Sequence, residues 1–188
     1  MQKNTHQEYE SVIKECEQVF TKKTRDYGTS WRVLRTISIV DQIYIKAQRI
    51  RTVQEKGEQR VENIGDDMRS EFIGIIIYAI IGLIQTELTD DDPEELEVAL
   101  AEKLYHKYFL AAKELMESKN HDYGEAWRNM TFESFVDLIL MKLQRMRQIL
   151  SNRGKTLISE GLDANYYDMI NYAVFALILM DESKPMKA

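Results

Sequence analysis

The chain has 188 residues, 44% of them hydrophobic, and a formal net charge of −6. That length and apolar content suffice for one sizeable core, while the acidic balance argues against a protein that grips a nucleic-acid backbone. A single cysteine excludes an internal disulfide, and only two prolines and eight glycines interrupt long periodic runs, so the expected class is all-α.

Helix one is predicted over about residues 7–24, where Tyr9, Val12, Ile13, Cys16, Val19 and Phe20 recur at three- and four-residue spacing. Cys16 sits on that apolar stripe and reads as packing, in keeping with a reducing cytoplasm. The polar start MQKNTHQEYE lacks the apolar region of a signal peptide. Asp26-Tyr27-Gly28 ends the helix, with Gly28 supplying backbone freedom and Asp26 a local acceptor, and a short helical turn around Trp31 follows. Helix two covers about 38–55, residues 56–66 form a loop, and helix three spans about 67–85. Helix three is apolar on nearly all sides and is therefore central. Residues 86–92 link to helix four, for which Asp92 is the expected N-cap, Pro93 the first helical residue, and Glu94 and Glu95 the acidic first turn. Helix four runs to about 118, and Thr131 is the expected cap of helix five over 132–152. A loop at 153–161, helix six over 162–180 and a fraying tail complete the chain. The most apolar runs, 72–84 and 169–180, fall short of the ~20 residues a membrane span needs and read as buried helices.

One stretch occurs twice. KTRDYGTSWRVLRTISIVDQIYIKAQRIR at 23–51 and KNHDYGEAWRNMTFESFVDLILMKLQRMR at 119–147 share a template of Lys, Asp-Tyr-Gly, Trp-Arg, Asp and Lys-x-Gln-Arg-x-Arg, 96 positions apart. Tyr78-Ala79 and Tyr172-Ala173 continue the match at an offset of 94. The expected organisation is two three-helix repeats, 1–88 and 89–188, packed about a pseudo-two-fold axis around one shared core, like a fused homodimer. Self-association of the whole chain is left open.

The anomaly in helix two is Lys46, which stands on the apolar stripe of Ile39, Ile43, Ile50 and Val53; in helix five Lys142 occupies the same place among Phe135, Ile139, Met146 and Ile149. A lysine on such a stripe either pairs with a buried acid from helix three or six or meets an anionic ligand. Arg49 and Arg145, one turn further on, suit the second alternative, since a point charge beside a guanidinium fork matches phosphate. The turns Asp26-Tyr27-Gly28 and Asp122-Tyr123-Gly124 are either simple helix ends or part of such a site. Trp31 and Trp127 either cap the core or stack on a base. Asp137, Glu160, Asp163 and Asp168 are the carboxylates that would hold Mg²⁺, chiefly in the second half, where Asp168 replaces Gly74.

Lys-x-x-Asp-Tyr-Gly, the later Lys-x-x-Arg, and Glu160 followed by Asp168-x-x-Asn171-Tyr172-Ala173 resemble the DUF1599 family, a nucleotide-modification-associated domain. The resemblance covers both repeats and implies a nucleotide or other phosphorylated small molecule as partner. The family looks distantly like the all-α nucleoside-triphosphate pyrophosphohydrolases of the MazG and dimeric dUTPase types, which hold Mg²⁺ between acidic residues of two helices. On that likeness Asp168, Glu160 and Asp163 match the acidic third helix, whereas Asp137 and Lys142 stand in place of the usual Glu-x-x-Glu. Three readings follow: a Mg²⁺-dependent pyrophosphohydrolase, a non-catalytic nucleotide-binding module, and an interaction scaffold.

Overall fold

The computed structural model describes residues 4–56, 64–154 and 161–183. Among them there are six α-helices and no strand: α1 (Thr5–Tyr27), α2 (Thr36–Lys56), α3 (Ile64–Glu87), α4 (Val98–Tyr123), α5 (Phe132–Ser151) and α6 (Leu162–Glu182). Short 3₁₀ turns at Ser30–Val33 and Ala126–Asn129 follow α1 and α4. The all-α bundle expected from periodicity is what the chain forms. No helix among the described residues is long and apolar enough to cross a membrane.

The start of α1 and the ends of α1 and α4 are set locally. The Asn4 side chain accepts the N–H of Gln7 at 3.2 Å and caps α1. The stripe Tyr9, Val12, Ile13, Cys16 and Phe20 is buried, with Val19 at its edge. Gly28 and Gly124 stop α1 and α4 with φ of 63° and 66°, and their N–H groups bond Thr24 O and Asn120 O at 2.9 Å each. That region of backbone space belongs to glycine.

The start of α4 differs from expectation. The helix opens at Val98 rather than Pro93 because residues 94–96 are held by the first turn. Thr29 donates its N–H to Glu95 at 3.2 Å and its hydroxyl to Glu94 O at 3.0 Å, while Leu96 N–H donates back to Thr29 Oγ1 at 2.9 Å. Asp92 instead closes a tight turn by accepting the N–H of Thr89 at 2.8 Å. Thr131 does precede α5, but its hydroxyl bonds Ser134 Oγ at 2.9 Å rather than a helix N–H.

Packing follows the repeat. α3 lies on α6, α2 on α5 and α1 on α4, so every helix has its repeat mate as a neighbour. Within each repeat α2 packs on α3 and α5 on α6. These are the contacts a pseudo-two-fold axis between the halves requires. The central pair meets closely at Gly82, where a Cβ would sit 2.3 Å from the Tyr166 ring. Across the axis Tyr9 Oη donates to Asn171 Oδ1 at 2.7 Å, and Asn171 Nδ2 donates to Ala112 O at 3.1 Å. α3 and α6 are the helices that contribute most buried apolar residues to the core, and their burial in this layer anchors it.

Candidate functional site

The two lysines on the apolar stripes lie where α2 meets α3 and α5 meets α6, and both face carboxylates. Lys46 Nζ is 3.2 Å from Glu71, which also takes Arg49 at 2.9 Å. Lys142 Nζ is 2.6 Å from Asp168, which also takes Lys119 at 2.8 Å. The acid is therefore supplied one turn apart in the two halves. Position 71 is Glu where its mate is Asn165, and position 74 is Gly where its mate is Asp168. Burial pushes the Asp168 carboxyl up, and the bonds and charges of Lys119 and Lys142 outweigh it, leaving the group below its ordinary value. In the first repeat Gly74 leaves room for the stem of Lys46, whose Nζ lies 3.0 Å from where a Cβ would be.

That exchange leaves Lys23, the mate of Lys119, without a carboxylate. Among the described residues Lys23 makes no ion pair or hydrogen bond, and it lines a pocket of about 320 Å³ between α1, the following turn and α3. Phe20, Leu34, Ile77 and Ile81 form its apolar floor, and Tyr27, Trp31 and Tyr78 its aromatic walls. Thr24, Gly28 and Ser30 add small polar edges. Tyr27 is 72% exposed, and Lys46 Nζ stands 5.9 Å from the Tyr78 ring centroid. An apolar concavity of this size with a few convergent polar groups is the usual form of a small-molecule site.

The second repeat handles the same positions differently. Trp127 is buried and stacks face to face on Phe175, with centroids 4.2 Å apart and planes 6° apart. Phe175 is the mate of Ile81, a pocket-floor residue. The Trp127 indole thus caps the core. Its neighbour Arg128 lies 4.3 Å over the ring and bonds Glu125 at 2.6 Å, Thr5 at 2.7 Å and the carboxylates of Glu8 and Glu182. Arg32 is likewise structural: it bonds Gln85 and the carbonyls of Thr89 at 3.1 Å and Asp92 and Pro93 at 3.3 Å. Both indole Nε1 atoms are buried without a partner, so Trp31 offers a pocket its ring rather than its N–H.

Of the residues singled out from sequence, Tyr27, Gly28 and Trp31 share this pocket, with Lys46 behind Tyr78. Arg49 turns to Glu71 and, at 3.6 Å, to Asp67. Asp26 and Asp122 are exposed and do not bond their turns, which the glycine N–H groups close instead. Arg145 is exposed, and the side chain of Tyr123 lies outside the described residues. Glu160 also lies outside them. The other carboxylates expected to hold Mg²⁺ are not gathered: Asp137 is exposed and 3.8 Å from Arg51, Asp163 is exposed beside Gly161, and Asp168 is saturated by two lysines. Among the described residues no three of His, Cys, Asp or Glu are placed to hold a metal ion. As described, Asp137, Asp163 and Asp168 do not form an oxygen-ligand set for Mg²⁺. Sequence reasoning missed Lys23, Tyr78 and Phe175 as site residues, although Lys23 and Tyr78 both recur in the repeat and that recurrence was their signal.

A family model, nucleotide modification associated domain 1, matches the chain twice, over residues 23–86 and 119–180. The protein belongs to that family, as a tandem of two copies. No curated protein and no solved structure matches the chain, so the expected likeness to pyrophosphohydrolases gains no support from comparison. The family's description places the protein in a nucleotide-related context without assigning a ligand or a reaction.

Proposed function

We propose that the protein is a nucleotide-binding module whose site is the pocket of the first repeat. The nucleobase stacks among Trp31, Tyr27 and Tyr78, and the phosphate meets Lys23, with Lys46 held by Glu71 behind Tyr78. The observation that carries this reading is Lys23: a cation with no partner among the described residues, lining an aromatic-walled pocket, at a position whose mate in the other repeat is held by an acid. Stacking on an aromatic side chain contributes about 1–3 kcal/mol per base, and a charge-assisted contact to phosphate about 1.5–3 kcal/mol. Together these give selective binding of a nucleotide. The family's nucleotide-related description agrees with such a ligand.

Titration with AMP, GMP, CMP, UMP and dTMP, read by calorimetry, tests the proposal. At least one nucleotide is expected to bind saturably, and Lys23→Met is expected to weaken it about tenfold or more. Equal affinity in wild type and Lys23→Met, or no binding by any of the five, would overturn the assignment.

A further inference from the structure

We infer that the second repeat is a copy of the same site closed from within, with Asp168 standing where a ligand's phosphate goes and Phe175 where its ring goes. The inference deepens the reading of the first repeat and rests on it for the identity of the ligand class. Three mate relations support it. Lys23 and Lys46 correspond to Lys119 and Lys142, and the latter two converge on one carboxylate at 2.8 and 2.6 Å. In the first repeat the residue at that place is Gly74, with Lys46 Nζ beside it and Lys23 at the pocket. The tryptophans correspond too, and Trp127 already carries a parallel ring at 4.2 Å, whereas Trp31 and Ile81 line open space.

The built-in group therefore presents a planar ring and an anion on one face of α6. Asp168 and Phe175 are seven residues apart, two turns of one helix, or about 10 Å along its axis. That separation is on the scale of a nucleobase and its 5′-phosphates. A carboxylate is smaller than a phosphate but offers the same paired oxygens to two ammonium groups. Because it is covalently part of α6, its effective concentration at the lysines exceeds that of a free ligand. The full chain should therefore bind one nucleotide, not two.

The test converts the second repeat to the residues of the first. The Asp168→Gly/Phe175→Ile double variant of the full chain is titrated with the same five nucleoside monophosphates, alongside wild type. Circular dichroism checks the fold, and Asp168→Asn/Phe175→Leu replaces the variant if it does not fold. The expected result is a stoichiometry rising from one to two, with new quenching of Trp127 fluorescence. A variant that still binds one nucleotide overturns the inference while leaving the first-repeat site standing. A wild type that binds two overturns it as well, because the second repeat would then be open. If wild type binds none and the variant binds one at Trp127, the closed copy is supported and the first-repeat assignment falls. If neither binds any of the five, both fall.

Discussion

The two repeats share a template and diverge in how they satisfy it. In the second, Asp168 holds both lysines and Phe175 stacks on Trp127. In the first, Glu71 draws Lys46 toward Arg49, Gly74 leaves space, and Lys23 and Trp31 remain at a pocket. The difference teaches that a recurring motif in a tandem protein marks a fold position, and that the mates opposite it decide whether the position packs or binds. Sequence reasoning looked for the working half in the second repeat because it carries more acid, whereas the pocket lined by Lys23 and Trp31 lies in the first.

Mutations at paired positions should separate these roles. Trp127→Ala removes a buried, stacked indole and should cost about 3–5 kcal/mol in denaturant unfolding. Trp31→Ala, at a half-buried mate, should cost about 1–2 kcal/mol in stability and weaken nucleotide binding by about 1–3 kcal/mol. Equal stability losses would break the contrast.

The acids come next. Asp168→Ala leaves Lys142, whose side chain is 8% exposed, beside no carboxylate, and should cost about 3–5 kcal/mol. Glu71→Ala should cost less, because Lys46 and Arg49 are 25% and 58% exposed and can reach water. The pH dependence follows from the lowered Asp168 value. A carboxyl whose folded pKa lies below its ordinary 3.8 contributes stability that is fully present above that value and is lost as pH falls through the folded pKa. Acid unfolding below about pH 4 should therefore flatten in Asp168→Asn.

Glycine substitutions sharpen the comparison at the turns. Gly28→Ala should cost about 1–3 kcal/mol for its backbone region, and more than Gly124→Ala. The reason is Glu95, whose carboxylate would lie 2.3 Å from a Cβ at 28, while nothing lies within 4 Å at 124. The smallest pair is Tyr9→Phe and Tyr105→Phe. Tyr9 Oη bonds Asn171, so its loss should cost about 1–2 kcal/mol in thermal unfolding. Tyr105 Oη is buried without a partner, because Ile77 stands where its mate supplies Asn171, and its removal should cost about zero or stabilise.

Much of the fold was legible because the helices obey periodicity and the repeat repeats its breakers. The anomalous Lys46 and Lys142 were also legible, as was the alternative that an acid on the third or sixth helix meets them. The start of α4 was not, since Asp92-Pro93 is a good local signal that loses to the bonds between Thr29 and residues 94–96, sixty-odd positions away. The pocket was hidden for the same reason. It depends on Ile81 rather than a phenylalanine facing Trp31, a size difference fifty residues away that acts only once α3 is docked.

The chain has two tryptophans, one in each repeat, and they report separately. Nucleotide titration followed by fluorescence in Trp127→Phe and in Trp31→Phe tests the central claim most directly. Saturable quenching of Trp31 with no response from Trp127 is the predicted result. Quenching of Trp127 alone, or of neither, would contradict the assignment of the site to the first repeat.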